Sequence, residues 1–321
     1  MSAELTGLHH VSALSAEIGA SHAFYTEVLG LRPVIRTVNQ DAPSMYHLFY
    51  GDGRGSPGSD MTVFDMPRAA RERRGNRSIT RTTFRVDGDA ALRFWAERLR
   101  AEGVVHGGVR ERDGRGWLEF DDDVGTALAL VDDGGTGEAH PWEASPVASE
   151  HQIRGLGLVE ITVPELQPTD GFLAGALGLR RERAYTPAES PRHRAHVYAM
   201  VEGGAHAEIH VRVDDALPPA RYGSGGVHHF ALRVPRLDEI GGWAERLTEL
   251  GHAHSGVVDR HYFRSVYVRE PNGVLIELAT DGPGFDVDGP LDGERLSLPP
   301  LLEPRRAEIE ANLRPLVVPA N

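Results

Sequence analysis

The chain has 321 residues, no cysteine, and a formal net charge of -13 from 47 acidic against 34 basic side chains. These numbers exclude disulfides, thiolate metal sites and cysteine nucleophiles, and they describe a surface that repels polyanions, so nucleic acid is not an expected partner. Sixteen histidines leave imidazole and carboxylate as the available metal donors, in a length that suits about two domains.

Taken from the N-terminus, residues 1–8 lack the basic and apolar regions of an export signal, and no window of about 18 apolar residues suggests a membrane span. The expectation is a cytoplasmic protein with no membrane partner. The first unit opens on a strand carrying His9, His10 and Ser12, continues through an amphipathic helix, and ends in strands separated by Gly and Pro turns, with Asp60 just before the last of them. Residues 68–81 carry six arginines and read as a solvated loop. A second unit over residues 78–133 repeats the strand, helix and strand plan.

At residue 149 the plan starts again. Gly7-Leu8 recurs as Gly155-Leu156, Leu29-Gly30-Leu31-Arg32 as Leu177-Gly178-Leu179-Arg180, and Trp95 to Leu99 as Trp243 to Leu247, always 148 residues on and without a gap. The chain therefore divides into residues 1–148 and 149–285, each holding two βαβββ modules, with a capping tail over residues 286–321 that turns helical over residues 304–313. Such modules are too small to bury a sheet face alone, so the expected fold class is α+β, two open barrels with helices outside. In the third unit His206, Glu208 and His210 share a strand face, but side chains along one strand are too far apart to converge on one ion, and an exposed edge is the expectation. In the fourth, Val227–Val234 alternates as a strand, residues 237–250 have helical spacing, and residues 262–269 and 274–280 read as strands around the turn Glu270-Pro271-Asn272-Gly273.

A structural role should survive duplication in both copies, whereas a functional site needs only one. His10 faces Leu158 in the other copy, His229 faces Arg81, and Glu277 faces Ala129. Two imidazoles and a carboxylate on one face of an ion leave positions open for substrate and oxygen, as in non-haem Fe(II) oxygenases, although zinc hydrolases share these ligands. Alternation puts His229, Ala231 and Arg233 on one face and Leu275, Glu277 and Ala279 on one face, with Phe230, Leu232, Ile276 and Leu278 packing beneath the helices.

The stretches Gly7-Leu8-His9-His10-Val11, Thr37-Val38-Asn39, Val227-His228-His229, Asp259-Arg260-His261-Tyr262-Phe263, Arg269-Glu270-Pro271-Asn272-Gly273 through Glu277, and Leu298-Pro299-Pro300 together resemble the vicinal oxygen chelate superfamily. Within it they are most similar to ring-cleaving dioxygenases that act on hydroquinones and related phenols. The resemblance implies Fe(II), with Mn(II) as the alternative, held by His10, His229 and Glu277. His9 and His228 are fallback ligands, because each His-His pair is ambiguous by one residue. It further implies dioxygen as co-substrate, a small aromatic substrate, and Tyr267 and Arg260 near that substrate, with Ser12 sharing the face of His10. With one ligand in the first unit and two in the fourth, those two units would form the active barrel. Gln40 departs from the pattern, where an aromatic residue is usual, as does Gly289, where an acidic one is. The rival readings are a glyoxalase-like isomerase or lyase with four protein ligands, for which Asp60 could supply a second carboxylate, and a protein that sequesters a small aromatic compound. A homo-oligomer is permitted but not specified.

Overall fold

The structure, a computed structural model, describes residues 4–188 and 190–317, so the first three residues of the opening segment and the last four of the tail lie outside the described residues. Unit one contributes β1 (Leu8–Ser15), α1 (Ile18–Ala23, prolonged by a wider turn over Phe24–Val28), β2 (Arg32–Asn39), β3 (Ala42–Gly51) and β4 (Asp60–Asp65). Unit two follows with β5 (Ser78–Val86), α2 (Gly88–Ala101), β6 (His106–Arg112), β7 (Arg115–Asp121) and β8 (Ala127–Asp132). Unit three has β9 (Leu156–Val163), α3 (Leu166–Asp170, prolonged over Gly171–Ala176), β10 (Arg180–Tyr185), β11 (Ala195–Ala199) and β12 (Glu208–Val213). Unit four has β13 (Val227–Val234), α4 (Ile240–Glu249), β14 (Val258–Asp259), β15 (Phe263–Arg269) and β16 (Leu275–Pro283), and the tail carries α5 (Arg306–Asn312).

These strands build two eight-stranded curled sheets, ordered β14-β15-β16-β13-β1-β4-β3-β2 and β10-β11-β12-β9-β5-β8-β7-β6. The first joins unit one to unit four; the second joins units two and three. A repeat half is therefore not a spatial body, because each sheet takes four strands from either half of the chain. The seam in each case is antiparallel: β1 against β13, and β5 against β9. The two linkers that cross between sheets run side by side, with bridges from Arg71 to Ser224, Arg73 to Arg221 and Asn76 to Pro219.

The apolar set of each strand faces the helices. Val11, Met61, Val63, Phe230, Leu232, Ile276 and Leu278 join Trp95, Leu99, Trp243 and Leu247 of α2 and α4 in one buried cluster, and burying side chains of this size contributes about 1.5–3 kcal/mol each. Alternation then leaves the opposite face of the first sheet to polar and aromatic residues. The tail closes that barrel's open side: Leu296 bridges to Arg36 at the free edge of β2, and Ser297 Oγ lies 3.1 Å from the hydroxyl of Tyr262 beside β15. Among the described residues no helix is long and apolar enough to cross a membrane.

Candidate metal centre

Two irregularities at the β1/β13 seam bring histidines inward that plain alternation would separate. Between the pairs Leu8–Leu232 and Val11–Phe230, β1 uses three residues where β13 uses two; between Ser12–His229 and Ala13–Val227 the excess lies on β13. Each is a bulge of the kind that lets neighbouring side chains turn to one face. As a result His9 and His10 both pack on Phe263, each with ring centroids 5.2 Å from it. His228 and His229 form the matching pair across the seam.

Three buried acceptor atoms meet at this point. His10 Nε2 lies 3.3 Å from His229 Nε2 and 3.2 Å from Glu277 Oε2, and His229 Nε2 lies 2.9 Å from the same oxygen. Atoms held about 2.1 Å from a common ion at right angles stand about 3.0 Å apart, so the triangle has the dimensions of one face of a metal's coordination sphere. The remote nitrogens are paired in a way that accommodates the tautomer a ligand needs. His10 Nδ1 is 3.0 Å from His9 Nδ1, and His229 Nδ1 is 2.8 Å from His228 Nδ1. With the proton of each inner ring on Nδ1, both Nε2 lone pairs face Glu277 Oε2, and that oxygen has no hydrogen-bond partner. A divalent cation fits this donor set, whereas three converging lone pairs without one would be costly in a buried site.

Electrostatics favour the ligand forms. Burial opposes the charge on Glu277, but positive charge at His10 and His229, in the place a cation would take, holds the carboxyl well below its ordinary range. Burial pushes the His9 imidazole down to about 3 and that of His228 to about 4, so both are neutral near pH 7. His9 spends its Nε2 proton on the carbonyl of Thr280 at 3.1 Å.

A cavity of about 280 Å³ opens onto the cluster, walled by Phe49, Phe64, Phe263, Val38 and Leu275 and edged by His47, His228, Arg260 and Tyr267. Arg260 Nε donates to the Tyr267 hydroxyl at 3.1 Å and Nη2 pairs with Asp41 at 2.9 Å, while Gln40 donates to the Arg260 carbonyl at 2.8 Å. The residue where an aromatic was expected thus helps hold the arginine. Burial raises the Tyr267 phenol above its ordinary value, with Glu277 adding to the shift. Ser12 Oγ lies 3.2 Å from His229 Nε2 and 2.7 Å from Thr62 Oγ1. Thr62, Ser265, which donates to Glu277, and the pairing of His47 with Thr62 carry no pattern that periodicity or the repeat could mark.

Two expectations need correction. Asp60 does not join the converging atoms: it pairs in register with His10, but its buried carboxyl is directed toward Gly51 and neither oxygen is hydrogen-bonded. In the second sheet the expected exposed edge is an interior strand with Glu208 and His210 buried, and Asp113, not His206, approaches them, so three potential donors gather there from a turn and one strand. Guanidinium groups already occupy that place: Arg115 and Arg183 both donate to Glu208, at 2.7 and 2.9 Å, and Arg183 also pairs with Asp113. Two fixed cations repel a third.

The family model described as Glyoxalase/Bleomycin resistance protein/Dioxygenase superfamily matches residues 7–130 and 155–278. A protein of Bacillus subtilis (strain 168) named as a ring-cleaving dioxygenase, MhqA, is 46% identical over 316 residues, 98% of this chain and 99% of its own. The chlorohydroquinone/hydroquinone 1,2-dioxygenase of Sphingobium indicum is 29% identical, with 97% of each chain covered. A crystal structure described as a dioxygenase from Bacillus subtilis subsp. subtilis str. 168 superposes over 100% of both chains with a TM-score of 0.89 at 31% identity. Glyoxalase I from Zea mays shares the fold, with a TM-score of 0.64 at 14% identity over 86% of this chain and 92% of its own.

Proposed function

The chain belongs to the Glyoxalase/Bleomycin resistance protein/Dioxygenase superfamily, and from that premise we propose that it is an Fe(II)-dependent, extradiol-type dioxygenase that opens the ring of a hydroquinone or catechol-like substrate. The observation that carries this reading is the triangle of His10 Nε2, His229 Nε2 and Glu277 Oε2, with sides of 2.9–3.3 Å, at the floor of an aromatic-walled cavity. Mn(II) would suit the same donors. Within the duplication we take residues 1–148 and 149–285 as the two repeats and residues 286–321 as a cap.

Iron in this site would supply the one-electron chemistry that lets dioxygen react with a phenolate ring and would hold both reactants side by side. The protein's own groups do the rest. Phe49, Phe64 and Phe263 offer a slot for one aromatic ring and exclude water from it; an apolar cavity of roughly 150 Å³ already accommodates benzene. With the His229 proton on Nδ1, as metal binding at Nε2 would require, His228 accepts on its own Nδ1 and carries its proton on Nε2 at the cavity wall, where it can be donated to an oxygen of the substrate. The Arg260 guanidinium places positive charge beside the Tyr267 hydroxyl and favours an anionic substrate oxygen at that edge.

The test is reconstitution with Fe(II) under nitrogen, followed by oxygen-uptake measurement with hydroquinones and catechols, alongside His229→Ala and Glu277→Ala. Stoichiometric oxygen consumption with ring-opened product in the parent, and its loss in both variants, is expected. Activity retained in both would remove the proposed site, and tight aromatic binding without oxygen uptake would favour a sequestering protein.

A further inference from the structure

We infer that Thr37 on β2 determines which aromatic molecules the first cavity admits, because a tyrosine at the corresponding position of the second barrel fills that barrel with a phenol ring of the chain's own. The inference rests on the reading that the cavity takes a phenolic substrate, and it assigns the choice among such substrates to this wall.

The correspondence holds to the residue. Tyr185 lies 148 residues after Thr37, the shift that relates the two halves throughout. Thr37 pairs with His47 on β3 and Tyr185 with Ala195 on β11, again 148 residues apart, and the irregularity between Pro33 and Ile35 recurs between Arg181 and Arg183. Strands that keep their register keep their faces, so both side chains point into the interior of their own barrel. Thr37 is 3% exposed there and forms part of the cavity wall.

The two positions are used in opposite ways. Tyr185 reaches across the second barrel until its hydroxyl lies 3.0 Å from His210 Nδ1, and Arg112 Nε donates to that hydroxyl at 3.1 Å. Arg112 corresponds to Arg260, which also donates Nε to a tyrosine hydroxyl at 3.1 Å, but there the tyrosine is Tyr267 of β15. Residue 267 corresponds in turn to Glu119. One arginine position is thus given a phenol partner from opposite sides in the two barrels, and the side not used carries the smaller residue. In the second barrel the phenol comes from the edge strand β10, and Arg183 and Arg115, at the positions of Ile35 and Phe263, turn into the same interior to meet Glu208. In the first barrel it comes from β15, so the β2 side stands open at Thr37, and the cavity of about 280 Å³ runs from there to His10 and His229. Thr37 acts there by its size. Its Oγ1 is buried and outside hydrogen-bonding geometry with any partner; the Tyr262 hydroxyl comes near it but lies 3.1 Å from Ser297 Oγ. A ring with one oxygen at the histidine floor has its substituents against the walls, and a short side chain at residue 37 leaves room for them.

The experiment is calorimetric titration of the full chain, with Mn(II) present and under nitrogen, against hydroquinone and tert-butylhydroquinone. Melting curves and Mn(II) affinity are recorded for each variant as controls. Thr37→Tyr is expected to weaken hydroquinone binding by about 100-fold or more while Mn(II) affinity stays within about threefold. Thr37→Ala is expected to shift the ratio of the two affinities about tenfold or more toward tert-butylhydroquinone, the effect of added room in an apolar pocket. Thr37→Val, which keeps the shape and removes a hydroxyl that has no partner, is expected to bind hydroquinone within about threefold of the parent. Full hydroquinone affinity in a Thr37→Tyr variant that melts like the parent overturns the inference, as does an unchanged ratio in Thr37→Ala. A tenfold loss in Thr37→Val overturns it too, because the hydroxyl and not the size would then be what the substrate meets. A parent that binds neither phenol also overturns it. A parent that binds hydroquinone, with the expected responses at residue 37, yet consumes no oxygen with Fe(II) supports the inference and fails the dioxygenase reading instead.

Discussion

Ser265 on β15 donates its hydroxyl proton to Oε1 of Glu277 on β16, which leaves Oε2 as the oxygen that faces His10 and His229. The serine is fully buried, and its counterpart 148 residues earlier is Trp117, whose ring fills the corresponding volume of the second barrel beside Ala129. Partners of this kind orient a ligand, and their loss weakens metal affinity by about 10–100-fold. Ser265→Ala is therefore expected to weaken Mn(II) binding by about tenfold or more in a direct titration, with a smaller effect than Glu277→Ala. Unchanged affinity would mean that Glu277 is held by packing alone.

Arg260 has two partners of unequal weight. Asp41 is largely exposed and its ion pair with Arg260 sits at the tip of the β2–β3 hairpin, where such pairs contribute about 0–1 kcal/mol. Tyr267 and the cavity lie on the inner side of the same guanidinium. Asp41→Ala is expected to change kcat/KM by less than about fivefold, whereas Arg260→Ala, which removes charge from the substrate edge, is expected to lower it by about 100-fold or more. Steady-state kinetics on the two variants separates a substrate-facing arginine from one that ties down the hairpin. Equal losses would favour the latter.

The repeat of 148 residues made much of this molecule readable in advance. It singled out His10, His229 and Glu277, whose counterparts are Leu158, Arg81 and Ala129 and whose side chains the fold brings together, and the strand Val227–Val234 has the bounds its alternation suggested. What stayed hidden has a common physical origin. Bulges at the β1/β13 seam are not encoded in alternation, so both members of each His-His pair facing one side could not be read from periodicity. Asp60, weighed as a possible second carboxylate but expected to be a solvent-facing turn residue, is instead buried on β4 beside His10 in register, with its carboxyl turned toward Gly51. Asp113 escaped notice because it reaches Glu208 and His210 from a turn far away in sequence.

Glu72 lies on the linker that crosses between sheets, and burial, opposed by Arg74, raises its carboxyl to about 7. The folded state then holds a proton that the unfolded chain, with a carboxyl near about 4.3, releases. Stability from this group is present below about pH 4.3 and is lost as pH rises toward about 7, since the native state binds more protons throughout that window. Glu72 is partly open to solvent, so the loss is on the order of 1 kcal/mol after screening. Urea unfolding at pH 4.5–7.5 should show a decline in the parent that Glu72→Gln reduces; parallel curves would place the carboxyl in ordinary solvent.

Glu208 is the hub of the second barrel. Burial disfavours its charge, but hydrogen bonds from Arg115, His210 and Arg183 more than offset that and depress its pKa, so its contribution is present above the unfolded carboxyl value and is lost only in strong acid. Removing one partner of such a buried network costs about 3–5 kcal/mol because the remaining charges are left uncompensated. Glu208→Ala is expected to lower Tm by roughly 10 °C and to leave kcat/KM at 25 °C within about twofold, since the ligand triangle belongs to the other sheet. Differential scanning calorimetry and oxygen uptake on one preparation decide the matter. Lost activity with an unchanged Tm would show that Asp113, Glu208 and His210 take part in the chemistry rather than having been filled in by arginine.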